Sequence, residues 1–422
     1  METPRKVLQS PERFSALYVR DFRIFWIGQV ISFSGTWMQS IAQGWLVYSL
    51  TKSPLYLGLV AAASSVPVLL FTLIGGVVAD RVNKRNLLIM TQTLSMIPAL
   101  LLGALTAFNI ITVGEIMVIA FFLGTVNALD VPARQSFLSE MVQKGHLMNA
   151  IALNSAAFNG ARIVGPVIAG LAIAAVGVAA CFYINAASFL AAILALLMIK
   201  GRSEERSEKL FRKSYGPYHR AKVSIATVVN DLSEGLRFVA KEGDISRIMV
   251  LVATLSLFGI PFVTFLPVFA EEILKVGPRG LGFLAGSSGI GSLFAALFIA
   301  FRGDIEKKGR FMFIAGLTFG ASLLAFSLSR DYALSRLALV FTGWGIVSFL
   351  AVGNSFIQLS VPDSLRGRVM SVYALVFLGV APVGSYIIGV IAHRAGTPGA
   401  VSIGSSVCLL TTLVLSKFLR RL

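Results

Sequence analysis

A few ionisable and polar side chains stand inside otherwise apolar stretches of this sequence, and their spacing limits what they can do. Asp130 precedes Arg134 by four residues, so on a helix the two share a face and can form an ion pair. Glu115 opens the same apolar stretch; a partly desolvated carboxylate there could take up and release a proton. Arg162 falls in the middle of another apolar run and must find an anion, an acid to tune, or backbone carbonyls to hold it. Gln29, Ser32, Thr36, Gln39 and Gln43 recur at intervals of three and four, which puts them on one helical face. Such a face can hydrogen-bond a solute or a neighbouring helix. Asn127, Asn154, Asn354 and Gln358 add amides elsewhere, and Trp37 offers a ring for stacking. Covalent chemistry is not indicated. His146, His219 and His393 are scattered, and Cys181 and Cys408 sit within apolar runs as packing thiols. Nothing resembles a nucleotide-binding loop. The chemistry left is binding and release of protons and a solute, with no cofactor or metal.

The elements that must position these groups follow from composition. The chain has 422 residues, 56% hydrophobic and 14% charged. A soluble domain carries roughly 25% charged residues, so the bilayer is the natural solvent. A spanning helix needs about 20 mostly apolar residues. Twelve such runs can be marked, at 23–49, 55–79, 87–108, 112–134, 147–177, 179–199, 247–270, 280–301, 311–329, 335–358, 367–392 and 399–418. Residues 1–22 are polar, and the first apolar run is too long for a signal-peptide core, so the N-terminus is expected to stay in the cytoplasm. Alternation from there puts 30 of the 37 Lys and Arg residues in cytoplasmic segments and six in outer loops, leaving Arg162 within a helix. This bias accounts for the net charge of +17 without nucleic acid. A charge near the bilayer centre costs at least about 2.5–3.5 kcal/mol unless it faces protein or water.

The organisation is six plus six: a half over 23–199, a polar linker over 200–246, and a second half over 247–422. Within the linker Ile225, Val228, Leu232, Leu236 and Val239 predict an amphipathic helix, either on the membrane surface or simply joining the halves. The halves repeat each other. Residues 135–177 align with 354–396 without a gap at an offset of 219, placing Gly160, Gly165, Gly170 and Gly177 on Gly379, Gly384, Gly389 and Gly396. At an offset of 224, Pro54, Gly58, Ser64, Asp80 and Lys84 fall on Pro278, Gly282, Ser288, Asp304 and Lys308. A parallel duplication of six helices predicts an all-α polytopic transporter with its solute path between the halves.

Two further motifs narrow the reading. Gly76-Val-Val-Ala-Asp80-Arg81-Val-Asn83-Lys84-Arg85 follows the second run, with Asn83 where a glycine is usual and φ above zero tolerated. Gly160-Ala-Arg162-Ile-Val-Gly165-Pro166-Val-Ile-Ala-Gly170 fills the fifth. The first resembles the cytoplasmic loop signature of the major facilitator superfamily, and the second its exporter motif. Phe22-Arg-Ile-Phe-Trp26, Gly35-Thr-Trp37-Met-Gln39, Asp130-Val-Pro-Ala-Arg134 and Leu365-Arg366-Gly367-Arg368 resemble its branch of siderophore, multidrug and macrolide exporters. The resemblance implies the twelve-helix fold of that superfamily and alternating access. It also implies a latch from Asp80 to Arg366 or Arg368, with Arg81, Lys84 and Arg85 near lipid headgroups. First helices of that architecture line the cavity, making Thr36, Trp37, Gln39 and Gln43 candidate solute contacts. Asp130 or Glu115, with Arg162, would couple transport to protons. The expected protein is a monomeric exporter of amphipathic small molecules in the cytoplasmic (inner) membrane, with both termini inside. A lipid flippase on the same fold and a non-transporting receptor or scaffold are the rival readings. A metal exporter is disfavoured by the scarcity of His, Cys and buried acids.

Overall fold

The computed structural model describes residues 15–199, 225–303 and 305–419. Among them there is no strand. Six long helices come first: α1 (Arg20–Thr51), α2 (Pro54–Arg81), α3 (Lys84–Ala107), α4 (Val113–Met141), α5 (Lys144–Val176) and α6 (Val178–Met198). A shorter helix, α7 (Ile225–Lys241), precedes α8 (Gly243–Ile273), α9 (Gly277–Arg302), α10 (Lys308–Leu328), α11 (Tyr332–Ser360), α12 (Asp363–Ala395) and α13 (Thr397–Val414). By length and composition, eleven of these are apolar enough to cross a membrane. The twelfth spanning helix is α1, 32 residues long, whose polar stripe lowers its apolarity without shortening it. The protein is thus an all-α polytopic membrane protein with the twelve-helix, two-half architecture expected from the sequence.

The helix ends are written locally. Asn83 caps α3, its side chain accepting from the Asn86 amide at 2.9 Å. Its φ is −61°, so it stands in the loop motif as a cap and not as a substitute for glycine's conformational freedom. Asp331 caps α11 in the same way. Two sharp reversals need positive φ: Gly177, at +92°, between α5 and α6, and Gly396, at +79°, between α12 and α13. These glycines occupy equivalent positions in the gap-free repeat, so the duplication preserved the backbone turn. Helices α8 and α12 are interrupted. Leu255–Gly259 and Phe269–Ile273 form wide π-type turns around Pro261 and Pro267, and Leu375–Gly379 does so just before Pro382.

Helices α1–α6 pack among themselves, as do α8–α13, and the halves meet chiefly where α5 crosses α9 and α2 crosses α12. Glycines make both crossings possible. A Cβ on Gly170 would lie 2.5 Å from the Pro278 carbonyl oxygen, and one on Gly282 would lie 2.5 Å from that of Pro166. At the other crossing, a Cβ on Gly58 would lie 2.4 Å from the Ser385 carbonyl oxygen and one on Gly389 would reach the Gly58 Cα at 3.4 Å. In lipid, where apolar surface alone does not drive association, such backbone proximity supplies the attraction. Gly58 and Gly282 are repeat equivalents, as are Gly170 and Gly389, so one contact is used twice. Both lie toward the end of the bundle carrying the 177, 277 and 396 turns. The same end carries an ion pair between halves, Lys52 to Glu271 at 3.2 Å. At the opposite end, added Cβ atoms on Gly76, Gly145 and Gly367 would meet nothing within 4 Å, and the same holds at Gly160 in the middle of α5.

Helix α7 packs on the first turns of α12. A Cβ on Gly235 would lie 2.7 Å from the Arg368 carbonyl oxygen, Val239 is buried, and Arg368 holds both Asp231 and Glu234 at 2.8 Å. The residues of 200–246 preceding Ile225 lie outside the described residues.

Candidate functional site

Two regions gather the polar groups that the sequence scatters. The first is a cavity of about 430 Å³ between the halves. Its walls come from α1, α2 and α4 on one side and from α8 and α12 on the other. Thr36, Gln39, Gln43 and Asn127 line it, together with Ser64, Ser65, Thr264 and Ser385, among apolar residues such as Leu57, Val60 and Ile260. The polar stripe of α1 therefore turns partly toward this space. Gln39 is also tied down, because Asn185 of α6 donates to its Oε1 at 2.6 Å and is itself bonded to Ser188. Asn127 is exposed into the cavity, and Gln43 is half-buried. The interrupted backbone of α8 supplies Ile260, Pro261, Val263 and Thr264. Irregular backbone at membrane depth is tolerated where it borders a cavity or is buried in protein.

The second region is a buried network joining α1, α3 and α4. Asp130, 2% exposed, accepts from the Thr91 hydroxyl at 2.7 Å, from Gln92 Nε2 at 2.9 Å and from Arg134. Arg134 also donates to Gln29 Oε1 at 2.6 Å, and Ser32 donates to Gln92 Oε1 at 3.2 Å. The pair expected from the four-residue spacing is present, and α3 adds two members that the sequence reading missed. Thr91-Gln92 is an isolated polar pair within an apolar run, and that was the available signal. Above this network runs a series of rings: the Arg134 guanidinium lies 4.7 Å from the Phe33 ring centre, Phe33 meets Phe158 at 5.5 Å, Phe158 meets Trp37 at 5.8 Å, and Arg162 lies 5.6 Å from Trp37. Phe33 and Phe158 were also missed, since aromatic residues in apolar helices look like packing.

The remaining candidates fall elsewhere. Glu115 is exposed at the third position of α4, where its carboxylate accepts from the Thr112 amide at 2.7 Å and Thr112 Oγ1 accepts from the Glu115 amide at 3.4 Å. This is a reciprocal cap, legible as Thr112-Val-Gly-Glu115, and it corrects the expectation of a partly desolvated acid. Glu115→Gln preserves such a cap, so thermal stability and transport should match the parent in a side-by-side assay of the purified protein. Trp37, Asn154, Asn354, Gln358 and Arg162 do not line the cavity. Gln358 donates to Asn354 at 2.6 Å, on the second half.

Two cations of the loop motif have protein partners. Lys84 pairs with Glu140 at 2.5 Å, and Arg85 donates to the carbonyls of Leu196 and Leu197 at 2.7 and 3.2 Å. Arg85 stands beside the C-terminal carbonyls of α6, which attract positive charge, and Lys84 on an acid of α4, so protein partners hold them and not headgroups alone. Arg81 is exposed. The Asp80 side chain lies outside the described residues. Arg368 is engaged by α7, and Arg366 pairs with Asp363 at 2.5 Å and donates to the Gln358 carbonyl at 3.0 Å. Within the exporter motif, a Cβ on Gly165 would lie 2.6 Å from the Ser34 carbonyl oxygen, so this glycine seats α5 on α1, while Gly170 seats it on α9.

Comparison with known proteins agrees with this architecture. Residues 12–421 match the family described as transmembrane secretion effector. A staphyloferrin A transporter of Staphylococcus aureus is 23% identical over 92% of this chain and 94% of its own length. The multidrug efflux pump Tap of Mycolicibacterium fortuitum is 26% identical over 92% and 93%. Among solved structures, a nucleoside transporter, NupG, superposes with a TM-score of 0.72 at 14% identity, covering 95% of this chain and 99% of that one.

Proposed function

On the premise that the chain belongs to the transmembrane secretion effector family of major facilitator transporters, we propose that it exports amphipathic small molecules, such as siderophores or drugs, in exchange for protons. The observation that carries this reading is the cavity of about 430 Å³ walled by both halves, with amides and hydroxyls set among apolar side chains. That mixture suits a solute with an apolar body and a few hydrogen-bonding groups. The names of the two relatives, one a siderophore transporter and one a multidrug efflux pump, support the same class of solute. Transport proceeds by alternating access. The glycine crossings of α5 on α9 and α2 on α12 close one end, and rocking of the halves about the cavity opens it while closing the other. The closed end is the outer one if the basic segments face the cytoplasm of a bacterial inner membrane.

Coupling is assigned to Asp130. Among the described residues it is the buried carboxylate of the first half. It accepts from Thr91 and Gln92 of α3 and from Arg134 of α4, and through Arg134 it reaches Gln29 of α1, so the network touches α1 and α4, which also wall the cavity. A proton arriving there would weaken its hold on Arg134 and release Gln29 of α1, linking proton occupancy to the cavity wall. Proteoliposomes holding a pH-sensitive dye provide the test, with siderophores and lipophilic cations added as solutes. Solute-dependent proton movement is expected. Solute export without proton movement overturns the exchange and leaves the exporter; transport of lysophospholipid in place of these solutes replaces the reading with a flippase.

A further inference from the structure

Arg162 differs from the other cation in this region. Arg134 is neutralised by Asp130, whereas Arg162 makes no ion pair and no hydrogen bond among the described residues; its partner is the face of Trp37. It projects from α5 at the inner end of the crossing with α9, where a Cβ on Gly289 would lie 3.0 Å from the Arg162 carbonyl oxygen. Beyond this point on α5, an added Cβ on Gly160 would meet only open space. Asn154, Phe158 and Arg162 follow at four-residue steps and share a face of the helix. Phe158 is 44% exposed, with Phe33 and Trp37 against its edges, and the Asn154 Oδ1 is buried without a partner. The surface thus offers an uncompensated guanidinium and an open aromatic ring along one helical face, next to an amide oxygen buried without a partner.

We propose that this face recognises an anionic, ring-bearing part of the cargo, the carboxylate or phenolate on Arg162 and the ring against Phe158 and Trp37. The proposal rests on the transport reading and sharpens it to a charge class. A positive charge held in apolar surroundings is stabilised by an opposite one, and the described protein supplies none, so the solute supplies it. A guanidinium spread over an indole also keeps its edge donors free for a planar carboxylate. A lipophilic cation meets repulsion at the same place.

The test uses the full chain in nanodiscs with three matched probes: 1-naphthoate, 1-naphthamide and 1-naphthylmethylammonium. Wild type is expected to bind the carboxylate at least about tenfold tighter than the amide, and the ammonium more weakly than either. Arg162→Gln should weaken naphthoate by about ten- to a hundredfold with the amide unchanged, and Arg162→Lys should recover part of the loss. Equal binding of naphthoate and naphthamide by wild type, or no naphthoate binding at all, overturns the proposal even if Arg162→Gln fails to fold. Export of neutral and cationic solutes by a protein indifferent to the probe's charge would sink this site and leave the exporter. Charge-selective binding through Arg162 without passage of any solute across vesicles would do the reverse.

Discussion

Gly170→Leu should abolish transport and hold the turn-bearing end of the bundle apart. The backbones of α5 and α9 approach so closely there that even a Cβ on Gly170 would lie 2.5 Å from the Pro278 carbonyl oxygen and 3.0 Å from the Gly282 Cα. The obstacles are backbone atoms, which cannot turn aside as a side chain can. Overpacking of this kind costs about 1–3 kcal/mol when neighbours can move, and more when they cannot. The crossing is an interface between halves, not the core of one, so separation relieves the clash while each half stays folded. Conformers closed at this end are then lost, and the cycle needs them. Spin labels at Ile110 and Leu334, both exposed, span the two halves. The native Cys181 and Cys408 are buried and should not compete for label. A longer, broader distance in Gly170→Leu is expected, with Gly160→Ala unchanged because nothing lies near that position. An unaltered distance together with normal transport would remove the glycine crossing from the mechanism.

The second large effect concerns the buried network. Asp130→Ala should lower stability by about 3–5 kcal/mol, since it leaves the Arg134 charge among apolar groups with one partner gone. Gln92 and Thr91 would also lose their acceptor. Part of this cost comes from the stranded cation, so the double variant Asp130→Asn, Arg134→Gln should unfold at a higher temperature than Asp130→Ala. Thermal unfolding in detergent checks both statements. The double variant serves a second purpose: if it folds and transports solute without moving protons, Asp130 acts in coupling beyond its structural part. If the double variant is no more stable than the single, the pair contributes little as a pair, and the stability of this region lies in α3.

Much of this arrangement was legible in the chain. Twelve apolar runs, the excess of basic residues on one set of loops and the two repeat offsets require two six-helix halves, because a bilayer admits little else from such a sequence. Repetition even marked the interface: the equivalent pairs Gly58 and Gly282, and Gly170 and Gly389, supply the crossings, where Gly170 meets Gly282 and Gly58 meets Gly389. Which glycine meets which could not be read, since periodicity places a residue on a face and says nothing of the helix opposite. The caps at Thr112 and Asn83 were written locally and were missed because a carboxylate and a loop motif invited other uses.

Sequence alone determined the solvent, the helix count, the twofold plan and the Asp130–Arg134 pair, all of which depend on composition or on spacing along one helix. Tertiary structure decided what depends on helices distant in the chain. It joined Thr91 and Gln92 to Asp130, tied Gln39 to Asn185, and turned Thr36, Gln43 and Asn127 into a common cavity. It gave Arg368 to the acids of α7, and it left Arg162 with an aromatic ring in place of an acid. The physical reason is the same in each case: a hydrogen bond or ion pair needs its partner within about 3 Å, and packing across the bundle, not order in the sequence, brings those atoms together.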